Sequence, residues 1–412
     1  MAGSLDRGGS PGPKVTSMPS TPAAGLTFVN AQFPDGEISS LRIVGSRIAA
    51  VAVTPPPGDL VVNLEGDRVL PGLINAHDHL QLNSMPALEF GKQYLHVQGW
   101  IADINTRRQT DPHFEASIAI ARDERLLIGG VKNLLSGVTT VAHHDPLYPF
   151  LSNADYPTGI VADYGWAHSL YIDGENAVHQ SYMRTPRKFP WIIHAAEGLD
   201  DEARDEFERL DALGCIGPNT LLVHGIALDH TQRTRLEHAG AGLIWCPSSN
   251  LNLFGKTADV NDLLERGRVA LGTDSRLSGS RDLLDDVRMV SDVFGLGEST
   301  LESLVTRDNA RLLRLSDRGC LQVGCRADIL ILPARMALSH ATRADVRLVL
   351  IDGIVRYGDK DRAQSLSPPV NWMDVRVDGK PKILDSRIVA SLSRSRVCES
   401  GLELTDDAWR AA

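Results

Sequence analysis

The chain has 412 residues, 42% of them hydrophobic, enough for one large domain, or a large domain with a satellite, around a substantial core. Its formal net charge is −10, from 52 acidic against 42 basic side chains, and no Lys/Arg cluster offsets the balance; the sequence therefore reads as binding neither nucleic acid nor a membrane surface. Small neutral or cationic molecules remain as partners, and homo-oligomerisation stays open. No apolar run reaches the roughly 18 residues of a membrane span. Five scattered cysteines, Cys215, Cys246, Cys320, Cys325 and Cys398, predict free thiols in a reducing compartment, the cytoplasm by default.

Residues 1–24, rich in Gly, Ser and Pro and without an apolar core, are expected to form a disordered arm and not a signal peptide. Residues 25–70 hold short β-rich pieces, LTFVNAQF and SLRIVGSRIAAVAV, closed by Pro55-Pro56-Pro57-Gly58. Similar pieces return in 317–360, at ADILILPA and DVRLVLIDGIVRYGD, so both ends are expected to build one small composite β-sandwich domain. Residues 71–316 alternate short apolar runs with helical patterns, as where FEASIAIARDERLLIGGVKNLLSG leads into SGVTTVAHH. Such alternation predicts an α/β segment with a parallel sheet, and its length suits the eight units of a (β/α)8 TIM-type barrel. Between SGVTTVAHH and PWIIHAAE only one convincing strand is visible where two are needed, which predicts an irregular unit there. Residues 361–412 are expected to pack on the domains as an extension, with SRIVASLSRSRV as a short helix.

VLPGLINAHDH ends an apolar segment on two imidazoles. Residues i and i+2 of a strand share a face, so His77 and His79 project together and Asp78 projects the other way, where it is expected to anchor a loop or a neighbouring side chain. The same strand-end position recurs: His194 ends WIIH, His224 ends LLVH and Asp274 ends VALGTD. A single His there is more often a satisfied core residue, but repetition around one sheet reverses that. Two His from one strand, a third from another and an Asp make four N/O ligands suited to Zn²⁺ or Fe²⁺. Glu197, three residues after His194, reads alone as a solvated loop carboxylate. Beside a metal ligand it becomes a candidate proton shuttle.

PGLINAHDH, GVTTV, WIIHAAE, LLVHG, CPSSN, LGTDS and GCLQVGCRADILIL, in this order, resemble the motifs of the amidohydrolase superfamily of metal-dependent hydrolases, over most of the chain. The resemblance implies that His77, His79, His194 and Asp274 hold one divalent ion, zinc before iron. Asp274 would also take a proton from the attacking water, His224 would orient that water or polarise the substrate, and Glu197 would protonate the leaving or ring nitrogen. Binuclear members carry a carboxylated lysine at the end of the strand preceding His194; here no Lys stands there, and Lys188 falls in the PRKFP turn. His-x-x-Glu after the fifth strand is similar to members that deaminate cytosine, guanine or S-adenosylhomocysteine and to triazine hydrolases. The implied function is hydrolysis of a C–N bond, not a standard peptide bond, in a small cyclic amidine or amide, foremost deamination of a heterocycle. Ring opening or amide cleavage in a modified peptide or natural product is the alternative; a non-catalytic scaffold is disfavoured because no ligand is missing. The chain departs from the pattern at Asp78 and at His143 and His144, where many members carry a single Asp or Asn. His143, His144 and His168 are expected to reach the substrate, with Ser249 and Asn250 shaping the loop at the barrel mouth.

Overall fold

The computed structural model describes residues 24–366 and 372–405; the expected N-terminal arm, apart from Ala24, lies outside them. Eight short strands from the middle of the chain run parallel in two sheets. They are β1 (Leu73–Asp78), β2 (Val138–His143), β3 (Gly159–Ile160), β4 (Gly165–Trp166), β5 (Trp191–Ala195), β6 (Thr220–His224), β7 (Gly242–Trp245) and β8 (Val269–Leu271). One sheet has the order β8-β7-β6-β5-β4 and the other β1-β2-β3. β1, β2, β5, β6, β7 and β8 are buried along their whole length, which is why each reads as a continuous apolar run and not as an alternation.

The sheets join on one side through a parallel bridge between Asp78 and Asp274, where His79 N–H donates to the Asp274 carbonyl at 2.8 Å and Thr273 N–H to the His77 carbonyl at 3.0 Å. On the other side β3 and β4, two residues each, are separated only by residues 161–164, with no helix between them and no ladder joining them. This is the expected irregular unit. Strands of two residues carry no periodic signal, so the sequence shows one run where the structure has two minimal strands.

Helix α1 (Val97–Thr110) buries no residue, whereas α2 (Arg122–Leu135) buries an unbroken face from Leu126 to Leu135. α2 approaches the turn after β1 closely enough that a Cβ on Gly129 would lie 2.3 Å from the Leu80 carbonyl oxygen. α3 (Asp201–Ala212) is capped by Asp200, whose carboxylate accepts from Ala203 N–H at 2.9 Å.

Both chain ends enter one eleven-stranded sheet. Arg68–Pro71, which leads into β1, pairs antiparallel with Ile329–Leu332 and so stitches the N-terminal strands to the C-terminal ones. The C-terminal extension does more than pack on this sheet: Trp372–Val377, Lys380–Asp385 and Leu402–Leu404 extend it, while α4 (Ser386–Leu392), the short helix expected from SRIVASLSRSRV, buries Ile388, Val389 and Leu392. The cysteine expectation needs correction. Cys320 and Cys325 form a disulfide across the turn before Ile329, with Cα atoms 6.5 Å apart, because the intervening turn folds them back on one another. The pair withdraws the support that scattered thiols lent to a reducing compartment. Cys215 and Cys246 are buried free thiols and Cys398 an exposed one. Among the described residues no helix is long and apolar enough to cross a membrane.

A buried ion cluster ties the extension to the loop after β8. Arg343 meets Asp282 at 2.5 Å and Glu399 at 2.7 Å, and Glu399 also meets Arg276 at 2.6 Å. Glu399→Ala would leave two guanidiniums short of their counter-charge and is expected to lower stability in urea unfolding by about 3–5 kcal/mol. A loss below roughly 1 kcal/mol, the range of an exposed pair, would contradict this role.

Candidate active site

The strand ends hold their functional groups by unusual backbone. Ala196, His224 and Asp274 have φ of 54°, 73° and 59°, a left-handed region that costs a non-glycine residue about 1 kcal/mol or more and persists only where neighbours impose it. Here they do. Asp274 N–H donates to the His77 carbonyl at 3.1 Å, Gly225 N–H to the Ala195 carbonyl at 3.1 Å, and Ala196 N–H to the Glu206 carboxylate of α3 at 2.8 Å.

His77, His79, His194 and Asp274 converge. His77 Nε2 and His79 Nε2 each lie 3.6 Å from Asp274 Oδ1, and His79 Nε2 lies 3.3 Å from His194 Nε2. His194 Nδ1 donates to the His168 carbonyl at 2.8 Å, so its Nε2 carries the lone pair. His77 Nε2 is buried without a hydrogen-bond partner. Ligands ~2.1 Å from a tetrahedral ion stand ~3.4 Å apart, and these separations match. Burial pushes His77 down to about 4 and holds His194 and His144 well below their ordinary range, leaving the neutral rings that a metal requires. Burial also presses His79 down, but Asp145 at 2.9 Å from its Nδ1, helped by Asp274, reverses this and lifts it to about 9. The donor set fits a divalent cation.

Donor atoms of His224 also fall within 4.8 Å of those of His77, His194 and Asp274, and His144 likewise joins His77, His79 and His194. Their other contacts differ: both ring nitrogens of His144 face partners, whereas His224 keeps Nε2 toward the cluster. His224 Nδ1 donates to Asn250 Oδ1 at 2.7 Å, which turns Nε2 toward Glu197 Oε1, 3.5 Å away. Glu197 is buried, and that burial, with the Asp274 and Glu206 charges, pushes its carboxyl well above the usual range. Burial acts the same way on Asp274, yet the His77 interaction and the surrounding imidazoles hold it far below. Ser249 Oγ and Ser278 Oγ donate to Asp274 Oδ2 at 2.7 and 2.6 Å.

A cavity of about 240 Å³ opens on this cluster, lined by Glu197, His224, Asp274 and His168, with Val97, Trp100 and Ile101 of α1 and Ile172 forming an apolar wall. Three of its residues, Gln81, Trp100 and His168, carry buried polar atoms without a partner: Oε1, Nε1 and Nδ1. The expected substrate contacts divide accordingly. His168 lines the cavity. His143 and His144 stand outside the lining: His143 Nδ1 sits 3.3 Å from the Asp78 carbonyl, and His144 is packed with its ring stacked on His194 at 4.4 Å and its Nε2 on the Ala167 carbonyl. Ser249 and Asn250 brace Asp274 and His224 from behind instead of shaping the mouth.

Sequence reasoning missed Asp145, Gln81, Trp100 and Lys132. Asp145 was in view in the HHDP string, and Lys132 stood out as a cation inside the apolar face of α2. Lys132 and Asp78 are both fully buried and meet at 3.3 Å. Asp78 also accepts from Asn83 at 2.6 Å, Asn133 at 2.8 Å and Asn75 at 3.1 Å, while Lys132 donates to Thr273 Oγ1 at 3.2 Å. Asp78 thus faces away from the ligand cluster and ties β1 to α2 and to the residue before Asp274.

The model of the amidohydrolase family matches residues 188–356. A 5-methylthioadenosine/S-adenosylhomocysteine deaminase from Archaeoglobus fulgidus is 25% identical, over 74% of this chain and 83% of its own. A 5'-deoxyadenosine deaminase from Methanothermobacter thermautotrophicus is also 25% identical, over 78% of this chain and 89% of its own. Among solved structures, a zinc-complexed atrazine chlorohydrolase from Arthrobacter aurescens has a TM-score of 0.64 at 18% identity, covering 80% of this chain and 94% of its own. A zinc-bound adenosine deaminase from Xanthomonas campestris also has a TM-score of 0.64, at 19% identity, covering 84% and 96%. The family match and the deaminase relatives support a metal-dependent hydrolase of carbon–nitrogen bonds other than peptide bonds. Over residues 188–356 the chain thus matches the amidohydrolase family, and over most of its length it is similar to the deaminases named above.

Asp78→Ala leaves Lys132 buried without its counter-charge and frees β1 to shift. It is expected to cost about 3–5 kcal/mol of stability and to weaken metal binding at least tenfold without abolishing it; zinc titration of the folded variant that finds no binding would contradict an anchoring role. Glu206 supplies a pH signature. Burial pushes its carboxyl up to about 7, against an ordinary value of 4.5, despite the Ala196 N–H. A group raised in the folded state stabilises fully below its unfolded pKa, and that contribution is lost as pH rises through the folded one. Stability is therefore expected to fall by roughly 3 kcal/mol between pH 4.5 and 7, a slope that Glu206→Gln flattens in denaturation measured across that range.

Proposed function

We propose that the protein hydrolytically deaminates a small heterocycle at an amidine-type carbon, with a single zinc ion held by His77, His79, His194 and Asp274. The observation that carries the proposal is the pair of buried carboxyls facing one cavity, Glu197 pushed toward its acid form and Asp274 held in its base form. Two titratable groups driven apart in this way assign the acid and the base. The two relatives described above, both named as deaminases, support this reading. The two parallel sheets are read here as one eight-stranded (β/α)8 barrel lacking the helix between β3 and β4, and the eleven-stranded sheet as the composite β domain.

Bound at the cluster, zinc supplies a lowered pKa for water and positive charge beside the reacting carbon. The chain's residues account for the rest. Asp274, its Oδ2 fixed by Ser249 and Ser278, accepts a proton from the attacking water. Glu197, as the acid, delivers a proton to the departing nitrogen, so that a C–O bond forms, the C–N bond breaks and ammonia leaves. His224 keeps Nε2 as an acceptor facing the Glu197 carboxyl, because Nδ1–H is committed to Asn250, whose amide is itself oriented by donation to Thr257 Oγ1 at 3.0 Å. Cavity size and lining narrow the substrate. A volume of about 240 Å³ falls below the roughly 300–1,000 Å³ usual for ligand sites. The apolar wall suits a flat ring face, Trp100 Nε1–H needs an acceptor on the ring edge, and Gln81 Oε1 needs a donor.

The test is ammonia release by zinc-loaded protein across a panel of amino-substituted heterocycles. Glu197→Gln is expected to retain zinc and lower kcat by about 10²–10⁴. Activity of the wild type should decline as pH rises through the elevated Glu197 pKa, since the acid form is the working one. Turnover without ammonia would replace deamination with ring opening or amide hydrolysis, and full activity in His77→Ala would reject the metal site.

A further inference from the structure

We propose that His144 and Asp145, the two residues that follow β2, are positioning residues that hold His77 and His79 each with a proton on Nδ1, so that Nε2 is the nitrogen both present to a metal ion. The inference rests on the metal-site reading above. It begins at the Ala167 carbonyl, 2.9 Å from His144 Nε2. A carbonyl only accepts, so His144 Nε2 donates, and the neutral ring then carries its lone pair on Nδ1. His144 Nδ1 faces His77 Nδ1 at 3.3 Å and accepts its proton, so His77 Nε2 is the unprotonated nitrogen. That atom is buried, without a hydrogen-bond partner and 3.6 Å from Asp274 Oδ1, beyond hydrogen-bond reach.

The opposite assignment fails at both ends of this chain of bonds. A proton on His144 Nδ1 would set the Nε2 lone pair against the Ala167 oxygen and drive the His77 proton onto Nε2, a buried donor with no acceptor. The relay is held in place by its surroundings. Ala167 N–H donates to the Ile192 carbonyl of β5 at 3.1 Å, which fixes the carbonyl that His144 addresses. The His144 ring is sandwiched, stacked on His194 with planes 2° apart and edge-on to Trp166 at 5.4 Å.

Asp145 does the same for His79 by a shorter route. Its Oδ2 lies 2.9 Å from His79 Nδ1, and a carboxylate accepts, so the ring proton sits on Nδ1 and Nε2 turns to the cluster. Gln81 Nε2, donating to the same oxygen at 2.5 Å, holds the carboxylate in that position. One two-residue segment thereby sets both ligands of the His-Asp-His strand. His194 receives its orientation separately, from the His168 carbonyl.

Two readouts test this on the full-length protein. The first is the protonation pattern of ¹⁵N-labelled histidines by NMR. Metal-free wild type is expected to show His77 protonated on Nδ1 and bare on Nε2, with His79 keeping its Nδ1 proton; His77 protonated on Nε2 instead would overturn the proposal. The second is the zinc dissociation constant by chelator competition. His144→Phe, which keeps the stack but removes the acceptor, and Asp145→Ala are each expected to weaken zinc about 10- to 100-fold. His144→Asn, which returns an acceptor oxygen near the Nδ1 position, and Asp145→Asn should recover a substantial part of that loss. Affinities within twofold of wild type in both deletions would overturn the proposal, as would asparagine variants no better than the deletions. A wild type that takes up no zinc would end the metal reading of the site, while the His77 pattern would still decide this inference.

Discussion

At the C-terminal end of the parallel strands His79 Nε2 stands 3.3 Å from His194 Nε2 and, like His77 Nε2, 3.6 Å from Asp274 Oδ1, with each ring's Nδ1 committed to an acceptor of the protein itself. Such crowding of electron-rich atoms calls for a cation, a proton on His79 or a bound metal ion, to relieve it. The free energy that keeps them together must come from the rest of the fold, and much of the surrounding structure supplies it. Left-handed backbone at His224 and Asp274 points their side chains inward, and neighbouring strands hold that backbone by hydrogen bonds that no local sequence preference would provide.

The bracing extends outward in two layers. Behind β1, the Asp78 carboxylate and the Lys132 ammonium are satisfied by asparagines and a threonine drawn from β1, the turn after it, α2 and the β8 loop, which ties the His77 strand to the Asp274 turn. Farther out, Arg276, two residues past Asp274, donates its backbone N–H to Asn83 Oδ1 at 2.9 Å and its guanidinium to Glu399 at 2.6 Å. The turn that carries Glu399, remote in sequence from the cavity, therefore helps fix the loop that carries Asp274.

The positions of His77, His79, His194, His224 and Asp274 were legible because each ends an apolar run, and a strand has only two faces. The alternation that placed His77 and His79 together also turned Asp78 away from them. The same rule, applied to His143 and His144, would have shown that the pair could not both reach a ligand. What the sequence left dark was the sector between β2 and β5: a strand of two residues has no period, and a missing crossover helix leaves only a short gap. Cys320 and Cys325 were likewise opaque, since a count of five says nothing of a turn that brings two of them together.

By itself the sequence determined the order of elements, the strand-end inventory of imidazoles and carboxylates, and the class of chemistry that inventory permits. Those are local properties, set by burial and alternation along a few residues. Only the tertiary structure decided which partner each ring nitrogen faces, that Glu197 and Asp274 are buried at one cavity, and that Ser249 and Asn250 brace the site from behind and leave the cavity to Gln81, Trp100 and His168. These depend on distances of about 3 Å between groups scores of residues apart, and on the degree of burial around each. A one-dimensional pattern records neither.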